Sequence, residues 1–194
     1  VGLMAVGLII SSSASLLRDQ VDQLRRREAN ARAVNALSKE LTAAVDLAPV
    51  FQVVIRVLGQ TFERDVVILL PDGQLLMEKA ATNGFSLDPN EKAVALWAFQ
   101  NSQPAGRGTE TLSAVAMHFL PLKTARGVVG VLGIKSPDQD RYLTQDERML
   151  LDNFANLSAL AIERALFAEQ ASQAETLRST ERLQSALLNS ISHE

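Results

Sequence analysis

From Thr144 onward, apolar residues recur at helical spacing, and neither proline nor glycine interrupts the chain before Glu194. This pattern predicts one long helix over Thr144–Glu194. Thr144-Gln145-Asp146-Glu147 opens it as a capping box, in which hydroxyl and carboxylate satisfy the free N–H groups of the first turn. Leu143 and Arg148 or Met149 stand near the positions of a hydrophobic staple. Between Met149 and Phe167 apolar residues are dense (Leu150, Leu151, Phe154, Leu157, Leu160, Ile162), which suits packing on a sheet or in a bundle. Between Ala168 and Arg182 they thin to Ala171, Ala174 and Leu177. A polar helix draws its stability from tertiary packing. A partner is therefore expected, most simply the same helix of a second chain in a thin coiled coil.

The front of the chain has its own pattern. Val1 to Leu17 carries no charge, and Val1–Ile10 is apolar apart from its glycines. This is shorter than the roughly 20 apolar residues of a full membrane span. We read residues 1–15 as the end of a transmembrane helix; the other reading is a solvated helix with a hydrophobic tip. Arg18, Arg25, Arg26, Arg27 and Arg32 follow and mark the cytoplasmic side of such a span. Leu16 to Val45 reads as a second helical stretch, with Leu17, Val21, Leu24 and Ala31 as a short coiled-coil seam. Asp46 caps the next helix, Pro49 sits in its first turn, and Phe51, Val54, Leu58 and Phe62 fall at helical spacing.

Strands come next. Val66–Leu70 is a short apolar run, Pro71-Asp72-Gly73 a turn, and Gln74–Thr82 the returning strand. Asp88-Pro89-Asn90-Glu91 starts a helix whose apolar side holds Val94, Ala95, Trp97, Ala98 and Phe99. Gln103–Thr109 is a loop by its glycine and proline content. Val115–Leu122 alternates, with Val115, Met117 and Phe119 on one side and Ala116, His118 and Leu120 on the other. After a turn at Ala125-Arg126-Gly127, Val128–Ile134 forms the last strand, and Gly130 and Gly133 in it signal close approach by another backbone or a helix. Hairpins with helices segregated outside them predict an α+β domain around an antiparallel sheet, flanked by long helices at both ends.

Composition narrows the chemistry. A net charge of −3 with no basic cluster beyond Arg25-Arg26-Arg27 gives nucleic-acid binding no support. The absence of cysteine excludes disulfides, cysteine-ligated metals and thioether-linked bilin or haem. Two histidines leave little material for a metal site. The chain begins at Val1 rather than methionine and stops inside a motif, so we expect a piece of a longer protein.

Three stretches carry a family resemblance. They are Trp97-Ala98-Phe99 running into Gln103–Thr109, Leu120-Pro121-Leu122 through Gly133, and Leu143-Thr144 through Arg164. Together they resemble the GAF domain of KdpD-type potassium-sensor histidine kinases. The resemblance implies a GAF domain over residues 33–165, a helical linker at 16–32, a coiled-coil signalling helix at 166–186, and the start of a dimerisation and phosphoacceptor domain at 187–194. Ser190-Ile191-Ser192-His193-Glu194 looks like the beginning of the phosphoacceptor box. By that resemblance His193 is the phosphorylated residue and Glu194 its acid-base neighbour. A neutral imidazole can attack the γ-phosphate of ATP while an adjacent carboxylate orients the ring and takes up its proton. The family often carries aspartate where this chain has Glu194.

The resemblance further implies a bacterial inner-membrane sensor with this segment on the cytoplasmic side, a homodimer through the flanking helices, and transfer of phosphate to a response regulator of KdpE type in an osmotic or potassium response. ATP and Mg would serve the full-length kinase. No Asn- or Gly-rich ATP-binding box is present in this chain, which is not expected to catalyse alone or to hold a cofactor. Candidates for ligand contact are Arg107, in a glycine-flanked loop suited to an anion, and His118. His118 reads either as a pocket or haem ligand or as a strand histidine with one hydrogen bond; the other reading of Arg107 is a surface or salt-bridge arginine. The Asn-Lys-Phe-Asp signature of cyclic-nucleotide GAF domains is not found. The alternative function is a GAF ligand-binding or dimerisation module serving a different output domain.

Overall fold

The computed structural model describes the backbone of residues 2–82, 84–135 and 143–191, and side chains between 20 and 185 except at 22, 23 and 26 within these segments. The elements are α1 (Gly2–Ala43), α2 (Leu47–Phe62), β1 (Asp65–Asp72), β2 (Leu75–Ala81), α3 (Pro89–Asn101), β3 (Ala105–Gly106), β4 (Met117–Thr124), β5 (Gly127–Lys135) and α4 (Gln145–Ile191). The two helical stretches expected before Val45 are thus one helix, α1. The chain divides into two compact units, Val1–Ala36 and the residues from Leu37 onward. Among the described residues, no helix is long and apolar enough to cross a membrane.

The unit from Leu37 onward is built on a five-stranded antiparallel sheet in the order β2-β1-β5-β4-β3. The register pairs Val67 with Gly133 and Gly133 with Phe119, so these side-chain positions share one face; Ile68, Leu132 and Leu120 share the other. Helix α3 covers the first face. There Val67, Leu69, Met117, Phe119 and Val131 pack with Val94, Ala95 and Ala98 of the helix, and Trp97 and Phe85 close the edge. Helices α2 and α4 cover the second face. Val50, Val54 and Leu58 are buried with Leu151, Phe154 and Ile162, and the Phe62 and Phe154 rings meet edge to face at 5.9 Å. Strand β4 is therefore buried on both sides from Met117 to Leu122, which is why its alternation sorts faces without separating polar from apolar.

Local signals end the elements as their residues demand. Asp88 accepts from the Glu91 N–H at 2.8 Å while Glu91 accepts from the Asp88 N–H at 3.0 Å, a complete capping box with Pro89 at the first helical position. Thr144 and Glu147 do the same for α4. Asp46 caps α2 by position but makes no side-chain cap bond. In the expected staple, Leu143 is buried but Met149 is exposed. Two expectations are corrected. The loop over Gln103–Thr109 contains the edge strand β3, and β4 begins at Met117 rather than Val115. Both follow from Gly106, whose φ of 94° turns the chain onto His118 and whose missing side chain lets the Met117 carbonyl approach.

Candidate functional site

The loop after β3 is held by its own bonds. The Gly106 N–H donates to Thr111 O at 2.8 Å, the Arg107 N–H donates to Met117 O at 2.7 Å, and the Thr109 hydroxyl donates to Gly106 O at 2.7 Å. This fixes the Arg107 backbone against β4. His118, buried on the face toward α4, lies 2.8 Å by Nδ1 from the Arg107 carbonyl oxygen. A carbonyl only accepts, so Nδ1 carries the proton and the neutral ring keeps its lone pair on Nε2. The sequence singles out Arg107 and His118 separately; the fold brings them together.

Two adjoining cavities open at this point. One, of about 80 Å³, is lined by Arg107, Gly108, His118, Leu143 and Arg148. The other, of about 320 Å³, shares Gly108, His118 and Arg148 and adds Thr109, Glu110, Thr111 and Asp152 among others. Arg148 and Asp152 stand one turn apart on α4, the spacing that puts them on one face of the helix. Arg64, buried just before β1, faces Glu147 at 3.6 Å, so the capping glutamate of α4 also meets a buried guanidinium. Burial holds the His118 pKa below its ordinary value; the Arg107 carbonyl and Asp152 oppose this, and Arg148 and Arg64 add to it. The sequence signal for Arg148 and Asp152 was present in their spacing after the capping box, but nothing local pointed them toward His118.

A second constellation lies where α4 leaves the sheet. Its burial ends at Ala165. Just there the Thr124 hydroxyl donates to Glu163 at 2.7 Å, and the Arg126 guanidinium lies 4.4 Å from the Phe167 ring centre. Arg126, in the turn before β5, is thus exposed but stacked. On the other side Arg164 donates to the carbonyls of Leu41 at 2.5 Å and Ala44 at 2.7 Å, the last turn of α1 and its exit. His193 and Glu194 lie outside the described residues.

Comparison with known proteins fixes the family. The GAF domain model matches residues 46–164, more than half of the chain. The chain belongs to the GAF domain family. It is 28% identical to the sensor protein KdpD of Escherichia coli K12 over 99% of its own length, and 26% identical to that of Clostridium acetobutylicum, also over 99%. It spans about a fifth of the length of these relatives, 21% and 22%. The crystal structure of the native GAF domain of the E. coli potassium sensor histidine kinase KdpD superposes with a TM-score of 0.63 at 27% identity, covering 73% of this chain and 98% of that one. The sheet and the helices packed on it are therefore those of a GAF domain similar to that of KdpD.

Proposed function

We propose that this chain is the cytoplasmic sensory and relay segment of a membrane-bound two-component histidine kinase. The whole protein would phosphorylate itself on His193, with Glu194 as acid-base neighbour and with ATP and Mg in its kinase part. The phosphate would then pass to an aspartate of a response regulator, in an osmotic or potassium response. The observation that carries this reading is helix α4. It is one element from the sheet-packed Leu150 and Phe154 to Ile191, two residues before the histidine. A change in how the sheet holds α4 would then travel along one helix as far as Ile191 and bias the phosphoacceptor that follows it. Tilt or register of such a helix is a two-state element that a local event can bias.

A dimer is read from the outer face of α4. Met149, Leu160, Phe167, Ala174 and Leu177 fall on one stripe of alternating three- and four-residue steps, and all are exposed. The steps between them land on polar Asn153, Asn156, Glu163 and Gln170, and the stripe runs on through Glu181 and Gln184, which makes the seam thin. The test is phosphate incorporation from ATP by the full-length protein beside His193→Gln. We expect acid-labile phosphate on the parent and none on the variant. An unlabelled parent that still binds ATP would exclude the kinase output and favour a GAF module serving another effector.

A further inference from the structure

We propose that the cleft between the β3–β4 loop and α4 binds a compact oxyanion, a carboxylate or phosphate group, held by Arg107, Arg148 and His118. The smaller cavity is lined by two arginines, a histidine, a glycine and a leucine, with no carboxylate among these described residues. Its volume of about 80 Å³ suits one small oxyanion. Among the described residues, Glu110 and Asp152 line the larger cavity, while Glu147 faces the buried Arg64. The wider chamber leaves room for the remainder of a small molecule whose anionic head enters first, with Thr109 and Thr111 as polar wall. The rim is preformed, because Gly106, Arg107, Thr109 and Thr111 are tied to one another and to β4.

The chemistry couples binding to a proton. With Nδ1 donating to the Arg107 carbonyl, His118 offers an anion a lone pair at Nε2 until that nitrogen is protonated. The groups facing it are Asp152 and Arg148 on α4, Arg64 before β1, and Arg107 itself. An anion seated among them offsets the arginines' repulsion of the imidazolium and favours the charged ring. Binding therefore tightens as pH falls through the range in which His118 takes up its proton, which burial sets below that of an ordinary histidine. Since Arg148 and Asp152 belong to α4, occupancy ties the loop to the helix that leads toward His193. That consequence rests on the relay reading above; the binding itself does not.

The test is an imidazole NMR titration of the 194-residue chain, with and without sodium sulfate at matched ionic strength. Sulfate keeps a constant charge across the range. With two histidines in the chain, His193→Gln assigns the His118 signal. We expect sulfate to raise the His118 midpoint. In Arg148→Gln the sulfate-free midpoint should already be higher and the sulfate increment lost, while Lys92→Gln, on α3, should keep the increment. Malonate and inorganic phosphate, run as parallel arms, separate a carboxylate from a phosphate preference. A parent midpoint indifferent to all three anions overturns the proposal. So does an equal increment in Arg148→Gln, which would mark a general salt effect. Neither outcome bears on phosphorylation of His193.

Discussion

Gly133 shows how tightly single residues set this domain. A methyl group at its position would stand 2.8 Å from each of Met117 Cε, Phe119 Cε1 and Val67 Cγ1. The methionine end can swing away; the ring and the branched carbon are fixed by strands on either side. Gly130 is similar, with a methyl 2.5 Å from the Leu69 carbonyl oxygen. We predict that Gly133→Ala destabilises the domain by about 1–3 kcal/mol through overpacking, less the few tenths by which alanine stiffens the unfolded chain. Urea unfolding measures it, and a gain in stability would mean the strands separate more readily than their register suggests. Both glycines were legible as close-approach positions in the sequence, because a strand seldom carries two without such a reason. The grouping of Arg64, Arg107, His118, Arg148 and Asp152 was not. These residues come from four separate segments, and only the antiparallel return of β4 and the capping of α4 bring them to one place.

At the scale of elements, the joint between α1 and α4 rests on Arg164. The carbonyls at a helix C-terminus have no partner within the helix. Arg164 satisfies those of Leu41 and Ala44 from the neighbouring element. Nearby, Arg56 and Glu40 pair between α2 and α1. We predict that Arg164→Met lowers stability by about 1–2 kcal/mol, the worth of charge-assisted bonds at a partly exposed site. Amide exchange should speed up in the Leu37–Ala43 turn more than in β1 or β5, and uniform protection would contradict the assignment. Elements whose ends are written in a few adjacent residues, the capping boxes at Asp88 and Thr144, are readable from the chain alone, whereas the turn expected at Pro71-Asp72-Gly73 falls at Gly73-Gln74, because Pro71 and Asp72 still pair with Leu76 and Leu75 in the sheet. Strand β3 is not, because two residues carry no period and its pairing with Phe119 and His118 is set by the sheet. Val115 and Ala116 alternate like strand residues, yet they fall outside β4 because the loop ahead folds back on itself.

For the whole molecule the claim is transmission along α4. Beyond Ala165 the helix leaves the core, and the described side chains from Phe167 to Ser185 are exposed. In the proposed dimer, the outer stripe through Leu160, Phe167 and Leu177 holds the two copies. The kinase would then read the phase of that seam at His193. This reading rests on sequence spacing as much as on packing, because heptad phase can be counted past the described residues. The measurement that tests it most directly is ATP labelling of His193 in the full-length protein after insertions beside Ser172. Seven added residues, two helical turns at about 3.5 per turn, keep the seam in phase. Four add roughly a turn and, at the same roughly 3.5 residues per turn, put it out of phase by about 50°. Phase transmission predicts that the seven-residue insertion retains the parent's response to stimulus, while the four-residue insertion fixes labelling high or low whatever the stimulus. Stimulus-dependent labelling unchanged in both would contradict a relay through α4.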